Sequence, residues 1–419
     1  MALENYEELT VFDGAIGTEV QKRSPTSEDS LTDVLNLTQP EVIKSIHRDY
    51  LAAGAQVLTT NTFSSNEIRL SRSGYGEKTK ELNEKGARLA RKAVEDISGG
   101  TREISIAGSI GPTGETLVPL GDWTFDQFYE TFRSQAKALN QGGVDWIIIE
   151  TMESLREASA ALVACKEIGL PVISSLSYGD RGRTSYGVMP ASGAVTLDYT
   201  GADVLAINCG TGPGPYPDII KTYSQSTSKP LLAEANAGDP RLEGGEAVYD
   251  LTPEQYLGEI RPGLPYLSGV GSCCGSNPDF TKALAEVAPE YGGRTKSTTP
   301  TEDELITNNS TVIPVSEETE FEEIAIGKDD LTDFKNKIIS GKVNMLNFSE
   351  ISRQPAELEE LLARQFLQLR SSNPLGIVTG DSKLLKTFLT ASPGISPVRA
   401  TGNEDSVRSI AEKYGGLII

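Results

Sequence analysis

The sequence predicts an α/β fold, a (β/α)8 TIM barrel followed by a smaller C-terminal α/β segment, and three observations carry that expectation. Over residues 1–293 short apolar runs alternate with amphipathic stretches. The runs are too continuous for half-exposed antiparallel strands. There are eight of them, each followed by a helical pattern or a loop, which is the composition of a closed parallel barrel.

In chain order the predicted strands are VFDG (11–14), QVLTTNTF (56–63), ISIAGSIG (104–111), DWIIIE (145–150), PVISSLSY (171–178), ADVLAINC (202–209), KPLLAEAN (229–236) and GVGSCC (269–274). Helical patterns between them include 40–54, 124–143 and 154–169. Residues 294–320 are polar and rich in Thr, Ser and Glu, and read as a linker. Beyond it, 321–327, 343–349, 374–380, 395–402 and 415–419 read as further strands, with a helix over 355–372, so that 321–419 forms a second unit.

Composition narrows the partners. A formal charge of −21 repels phosphate backbones and anionic lipid, so neither nucleic acid nor a membrane surface is an expected partner. No apolar stretch reaches the ~18 residues that span a bilayer, and the N-terminus lacks the pattern of a signal peptide, which together with the cysteine usage points to the cytoplasm and to reduced thiols.

A barrel assembles its active site where its strands end, so the terminal residues are the candidates. They are Asp13, Asn61, Ser109, Glu150, Ser177, Cys209, Asn236 and the adjacent pair Cys273 and Cys274. A lone Ser or Asn there reads first as a helix cap. Three cysteines on the sixth and eighth strands do not, and side chains from those strands can meet across the mouth. Cys209, Cys273 and Cys274 with one open position make a plausible catalytic zinc site. The single histidine, His47, sits on the first predicted helix, away from the mouth, and Cys165 lies in an Ala-rich helix and reads as core. Zinc with three thiolates carries net −1; it is poorly suited to activating water but well suited to holding a substrate thiol as a nucleophilic thiolate.

The segments FDGAIGTEVQ (12–21), TTNTF (59–63), AGSIGPTGE (107–115), PLGDWTF (119–125), IIETMESLREA (148–158), INCGTGP (207–213), NAGDPR (236–241) and GSCCGSNPDF (271–280) resemble, in order, the zinc-dependent homocysteine S-methyltransferases, above all the N-terminal homocysteine module of cobalamin-dependent methionine synthases. Ser272 stands where that family usually has glycine. The resemblance implies zinc on Cys209, Cys273 and Cys274, homocysteine sulfur in the fourth position, Asp13 and Glu150 recognising its amino acid part, backbone at Gly14 and Ala15 facing its carboxylate, and Asn236 near the vacant metal position. The product would be methionine.

Residues 374–389 and 411–419 resemble the start of the folate-binding barrel that follows this module, and the chain stops about halfway round it. Met345, Val378 and Arg399 stand where the pterin-contacting strands usually carry Asp, Asp and Asn, so folate binding is expected to be lost. No Asp-x-His-x-x-Gly signature is present, so methylcobalamin could serve only if another protein, such as a separate corrinoid protein, delivers it. The methyl donor stays open. Two alternatives remain: zinc chemistry on another thiol or with a sulfonium or quaternary-amine donor, and a non-catalytic zinc protein that binds a partner through its C-terminal segment.

Overall fold

The computed structural model describes residues 9–24, 31–98, 104–239, 241–243, 246–292, 304–326, 337–348, 355–368 and 373–419. Outside these lie the first part of the predicted linker, the ends of two predicted strands (321–327 and 343–349) and the end of the predicted helix 355–372.

Eight parallel strands form the barrel: β1 Thr10–Val11, β2 Val57–Thr59, β3 Ser105–Ile110, β4 Trp146–Met152, β5 Val172–Leu176, β6 Val204–Asn208, β7 Leu231–Ala235 and β8 Gly269–Ser272. Each pairs with its sequence neighbour from β2 to β8, β8 pairs with β1, and a parallel bridge between Phe12 and Val57 brings β1 against β2. Every strand overlaps a predicted run, β1 only at Val11. β4 continues to Met152, past the expected end at 150, because its register with β5 shifts between Ile149 and Met152 and the chain bulges there.

The helices begin and end where local chemistry directs. Pro40 opens α1, Pro40–Ala53, and Gly54 closes it at φ 114°. Thr124 and Gln127 form a reciprocal capping box at the start of α2, Phe125–Gly142, and Ser154 caps α3, Leu155–Lys166. None of the described helices is long and apolar enough to cross a membrane.

Side-chain alternation divides each barrel strand. Ile106, Ile147, Ile149, Leu205, Ala233 and Val270 belong to the large core shared with the helices. Phe12, Val57, Ala107, Trp146, Ile148, Ile173, Val204, Ala206 and Leu232 form a separate apolar cluster inside the barrel.

The second sheet has five strands, β9 Phe321–Ala325, β10 Val343–Asn347, β11 Gly376–Thr379, β12 Ser396–Ala400 and β13 Gly416–Ile418, all parallel and in sequential order. The described part of the stretch read as a linker carries a hairpin, Leu305–Thr307 with Val312–Pro314. Its polar composition concealed it: Ile306 is buried in a small cluster with Val195, Val343, Ile395 and Leu417, between the barrel and the second sheet. A buried ion pair also joins the two, Arg156 to Glu359 at 2.8 Å, with the guanidinium donating to the Thr390 carbonyl and the Phe125 amide donating to the same carboxylate. A cavity of about 640 Å³ lies between the loops after β3, β4 and β5 and the second sheet's loops, lined in part by Leu117, Phe128, Arg183, Asn309 and Phe366; the three candidate cysteines are not part of it.

Candidate active site

The alternation that fills the barrel puts a polar layer directly above the apolar one. Two residues beyond Val57, Ala107, Ile148, Ile173, Ala206 and Leu232, the inward positions are Thr59, Ser109, Glu150, Ser175, Asn208 and Glu234. Most of these side chains hold one another in place. The Thr59 amide and hydroxyl both donate to the Asp13 carboxylate at 2.9 Å. Ser109 Oγ donates to Glu150 Oε1, and Asn208 Nδ2 donates to Glu150 Oε2 at 3.3 Å. Asn208 Oδ1 in turn accepts from Ser175 Oγ at 2.7 Å and from the Thr151 amide at 2.8 Å.

Backbone geometry turns the strand ends over this layer. Thr151, at the β4 bulge, has φ 62°, and Cys209, the first residue after β6, has φ 57°. Both are non-glycine residues in the left-handed region, a strain of roughly 1 kcal/mol each that the surrounding bonds must hold. Here the Cys209 amide donates to the Glu234 carbonyl at 3.0 Å, and the Cys273 amide to the Ala235 carbonyl at 2.7 Å.

The three thiols converge as expected. Their Sγ atoms lie within 4.8 Å of one another, with Cys209 and Cys274 at 3.9 Å. Tetrahedral zinc with Zn–S bonds of about 2.3 Å separates its sulfurs by about 3.8 Å, so the cluster is close to the size of a zinc site. Hydrogen bonds from Cys209 and then Cys273 hold the Cys274 thiol well down, while donating to Cys209 and Cys274 pushes Cys273 well up. Asn236 stands alongside, Nδ2 donating to the Gly210 carbonyl at 3.4 Å, and its buried Oδ1 has no partner among the described residues. Three sulfurs and one unsatisfied hard oxygen are a donor set that suits zinc.

Below the thiols the chamber is acidic. Burial pushes Asp13 up to about 8 and Glu150 up to about 7, and it pushes Glu234 well above the ordinary carboxylate range. Among the described residues, the leading charges acting on these three groups are Glu150 on Asp13, Cys209 and Asp33 on Glu150, and Glu150 and Asp13 on Glu234. A buried group of acids of this kind favours a ligand that brings a positive charge.

Gly14 sits where a side chain would strike Ser276 Oγ, Ser272 Oγ and the Tyr50 ring, at 2.8–3.0 Å. The Ala15 amide donates to Ser276 Oγ at 3.1 Å, and the helix it precedes, Ile16–Arg23, has no side-chain cap. That helix start therefore leaves amides without a side-chain cap, which suits an anion.

The remaining candidates separate cleanly. Ser109 joins the site through Glu150. Asn61 is buried away from it, bonded to the Thr32 carbonyl and Asn36 Oδ1, and Ser177 is buried beside Gly210. His47 and Cys165 are buried on α1 and α3; burial pulls His47 down to about 4 and pushes Cys165 up, so neither is a charged or reactive group. Sequence reasoning missed Glu234, Asn208 and Thr59. The signal was available in KPLLAEAN, where a lone acid interrupts an apolar strand at the inward register.

A sequence model described as homocysteine S-methyltransferase matches residues 10–288. Methionine synthases of Mycobacterium tuberculosis (strain ATCC 25618 / H37Rv) and Mycobacterium leprae (strain TN) are each 29% identical to the chain over 293 residues, covering 67% of it and 24% of the relative. The match thus spans about a quarter of those longer proteins. Structures of the homocysteine methyltransferase MmuM from Escherichia coli share the fold: the metallated form has a TM-score of 0.58 and the oxidized form 0.57, each at 24% identity and covering 68% of this chain and 97% of that one. Since the match to the family covers the barrel from β1 to its last helix, the chain belongs to the homocysteine S-methyltransferase family, a family of S-methyltransferase enzymes.

Proposed function

We propose that the protein transfers a methyl group to the thiolate of homocysteine, forming methionine, with zinc held by Cys209, Cys273 and Cys274. The observation that carries this reading is the position of the three thiols, within 4.8 Å of one another, at strand ends that also bring together the buried acids Asp13, Glu150 and Glu234. Zinc bound there would ionise a substrate thiol at neutral pH while leaving it nucleophilic.

The chain's own residues orient the acceptor. Asp13 is fixed by Thr59, and Glu150 by Ser109 and Asn208, so both carboxyls are preorganised to take an ammonium. The arriving positive charge draws both acids back toward their ionised forms. The substrate carboxylate falls to the amides around Gly14 and the open start of Ile16–Arg23, because the Ala15 amide already bonds Ser276. With sulfur and amino acid ends both held, the thiolate presents one face to the donor.

The donor has to deliver an electrophilic methyl group. A sulfonium, a quaternary amine, or methylcobalamin carried by a separate corrinoid protein each meets that requirement. All four cysteines are unpaired, and the chemistry needs three of them reduced, which supports a reducing compartment such as the cytoplasm. Incubation of zinc-loaded protein with homocysteine and, in parallel, S-methylmethionine, S-adenosylmethionine, betaine or a methylcorrinoid protein should yield methionine with one of them. Failure with every donor, in protein that binds zinc and homocysteine, would overturn methyl transfer to this acceptor.

A further inference from the structure

The chamber beneath the thiols holds a third acid that the assignment of Asp13 and Glu150 leaves unused. Glu234 follows Leu232 by two positions on β7, so it points inward, in register with Asn208 on β6 and Gly271 on β8, and it is 6% exposed. Its Oε1 lies 3.0 Å from where a side chain on Gly271 would begin, so the bare backbone of β8 gives the carboxyl its space. Asp13 and Glu150 each accept hydrogen bonds at both oxygens. The Glu234 carboxyl accepts none from the described residues, and the charges acting on it are those of Glu150 and Asp13. A buried carboxyl with neither donor nor cation is costly unless a ligand supplies one.

We propose that Glu234 contacts the substrate: its carboxylate accepts a hydrogen bond from the α-ammonium of the thiol amino acid and sets the preference for an aminothiol over a plain thiol. This rests on the acceptor-site reading above. An ammonium has three N–H donors, and three carboxyls face the chamber. Two of them are already tied to neighbouring strands and serve to orient; the third keeps its full acceptor capacity for the ligand. Glu234 therefore supplies the charge-assisted bond that a thiol without an amino group cannot use.

The test compares Glu234→Gln with the unmodified full chain, both zinc-loaded, by calorimetric titration with homocysteine and with 4-mercaptobutyrate, which is homocysteine lacking its amino group. Glu234→Gln should weaken homocysteine about tenfold or more, change 4-mercaptobutyrate less than about threefold, and leave zinc content as it was. The substitution keeps the shape and removes a buried ionisable group that no described neighbour bonds, so the melting temperature should hold or rise. Equal weakening of both ligands, no weakening of either, or a fall in melting temperature that accompanies both losses would overturn the inference alone. Unmodified protein that binds 4-mercaptobutyrate as tightly as homocysteine would overturn the acceptor reading and this inference with it.

Discussion

Glu150 shows how a single side chain is prepared by its strand. The β4 bulge and the left-handed Thr151 turn it into the mouth, and Ser109 and Asn208 hold its two oxygens apart from the thiols. If it pairs with the substrate ammonium, Glu150→Gln keeps the size but loses the charge, and homocysteine affinity should fall by about 1.5–3 kcal/mol, or about ten- to a hundredfold. Zinc content should stay the same, as should affinity for a simple thiol, both measurable on one preparation. Loss of zinc, or an equal loss for both thiols, would make Glu150 a support of the metal site. At this scale the sequence was legible where chemistry is rare. Three cysteines at two strand ends announce themselves, whereas Thr59 and Asn208 act through hydrogen bonds that only the closed barrel brings into reach.

Elements were legible where a period or a cap is local. The eight runs, the Pro40 start and the Thr124 capping box are each written in a few adjacent residues. The hairpin at 305–314 was not, since its one fully buried apolar residue, Ile306, packs against partners far along the chain. Helix α3 carries a cost of the same non-local kind. Near its start Glu157 accepts from the Thr113 amide and hydroxyl at 2.8 Å, yet burial outweighs those bonds and pushes the carboxyl up from 4.5 to about 7. The folded chain therefore keeps a proton that the unfolded chain loses near pH 4.5, and stability from this group is complete below that pH and is lost as pH rises through 7. Glu157→Gln can accept the same two bonds without that loss. Urea unfolding should find it level with the unmodified protein near pH 4.5 and more stable at pH 8, by at most about 3 kcal/mol. A difference independent of pH would show that the carboxyl does not titrate as described.

For the whole molecule, the second sheet repeats the sequential parallel order of a barrel arc but not the chemistry that the resemblance would assign to it. Met345 and Val378 are buried on the face that Arg399 shares, Met345 lies against Gly376, and Arg399 faces Glu323 at 3.6 Å, while Asn347 also donates to Glu323. Two apolar side chains and a paired guanidinium offer a pterin edge little to bond. Methyltetrahydrofolate should therefore neither bind measurably nor serve as donor; calorimetry giving a micromolar dissociation constant would contradict this.

On the proposed function, three thiols of the barrel mouth hold one metal and leave its fourth position to the acceptor's sulfur. X-ray absorption at the zinc edge, on the loaded protein with and without homocysteine, tests it most directly. Three sulfurs at about 2.3 Å with one lighter donor are expected in the free protein, and four sulfurs once homocysteine is added. An unchanged sulfur count on saturation with homocysteine, or a free protein already coordinated by four sulfurs, would contradict it.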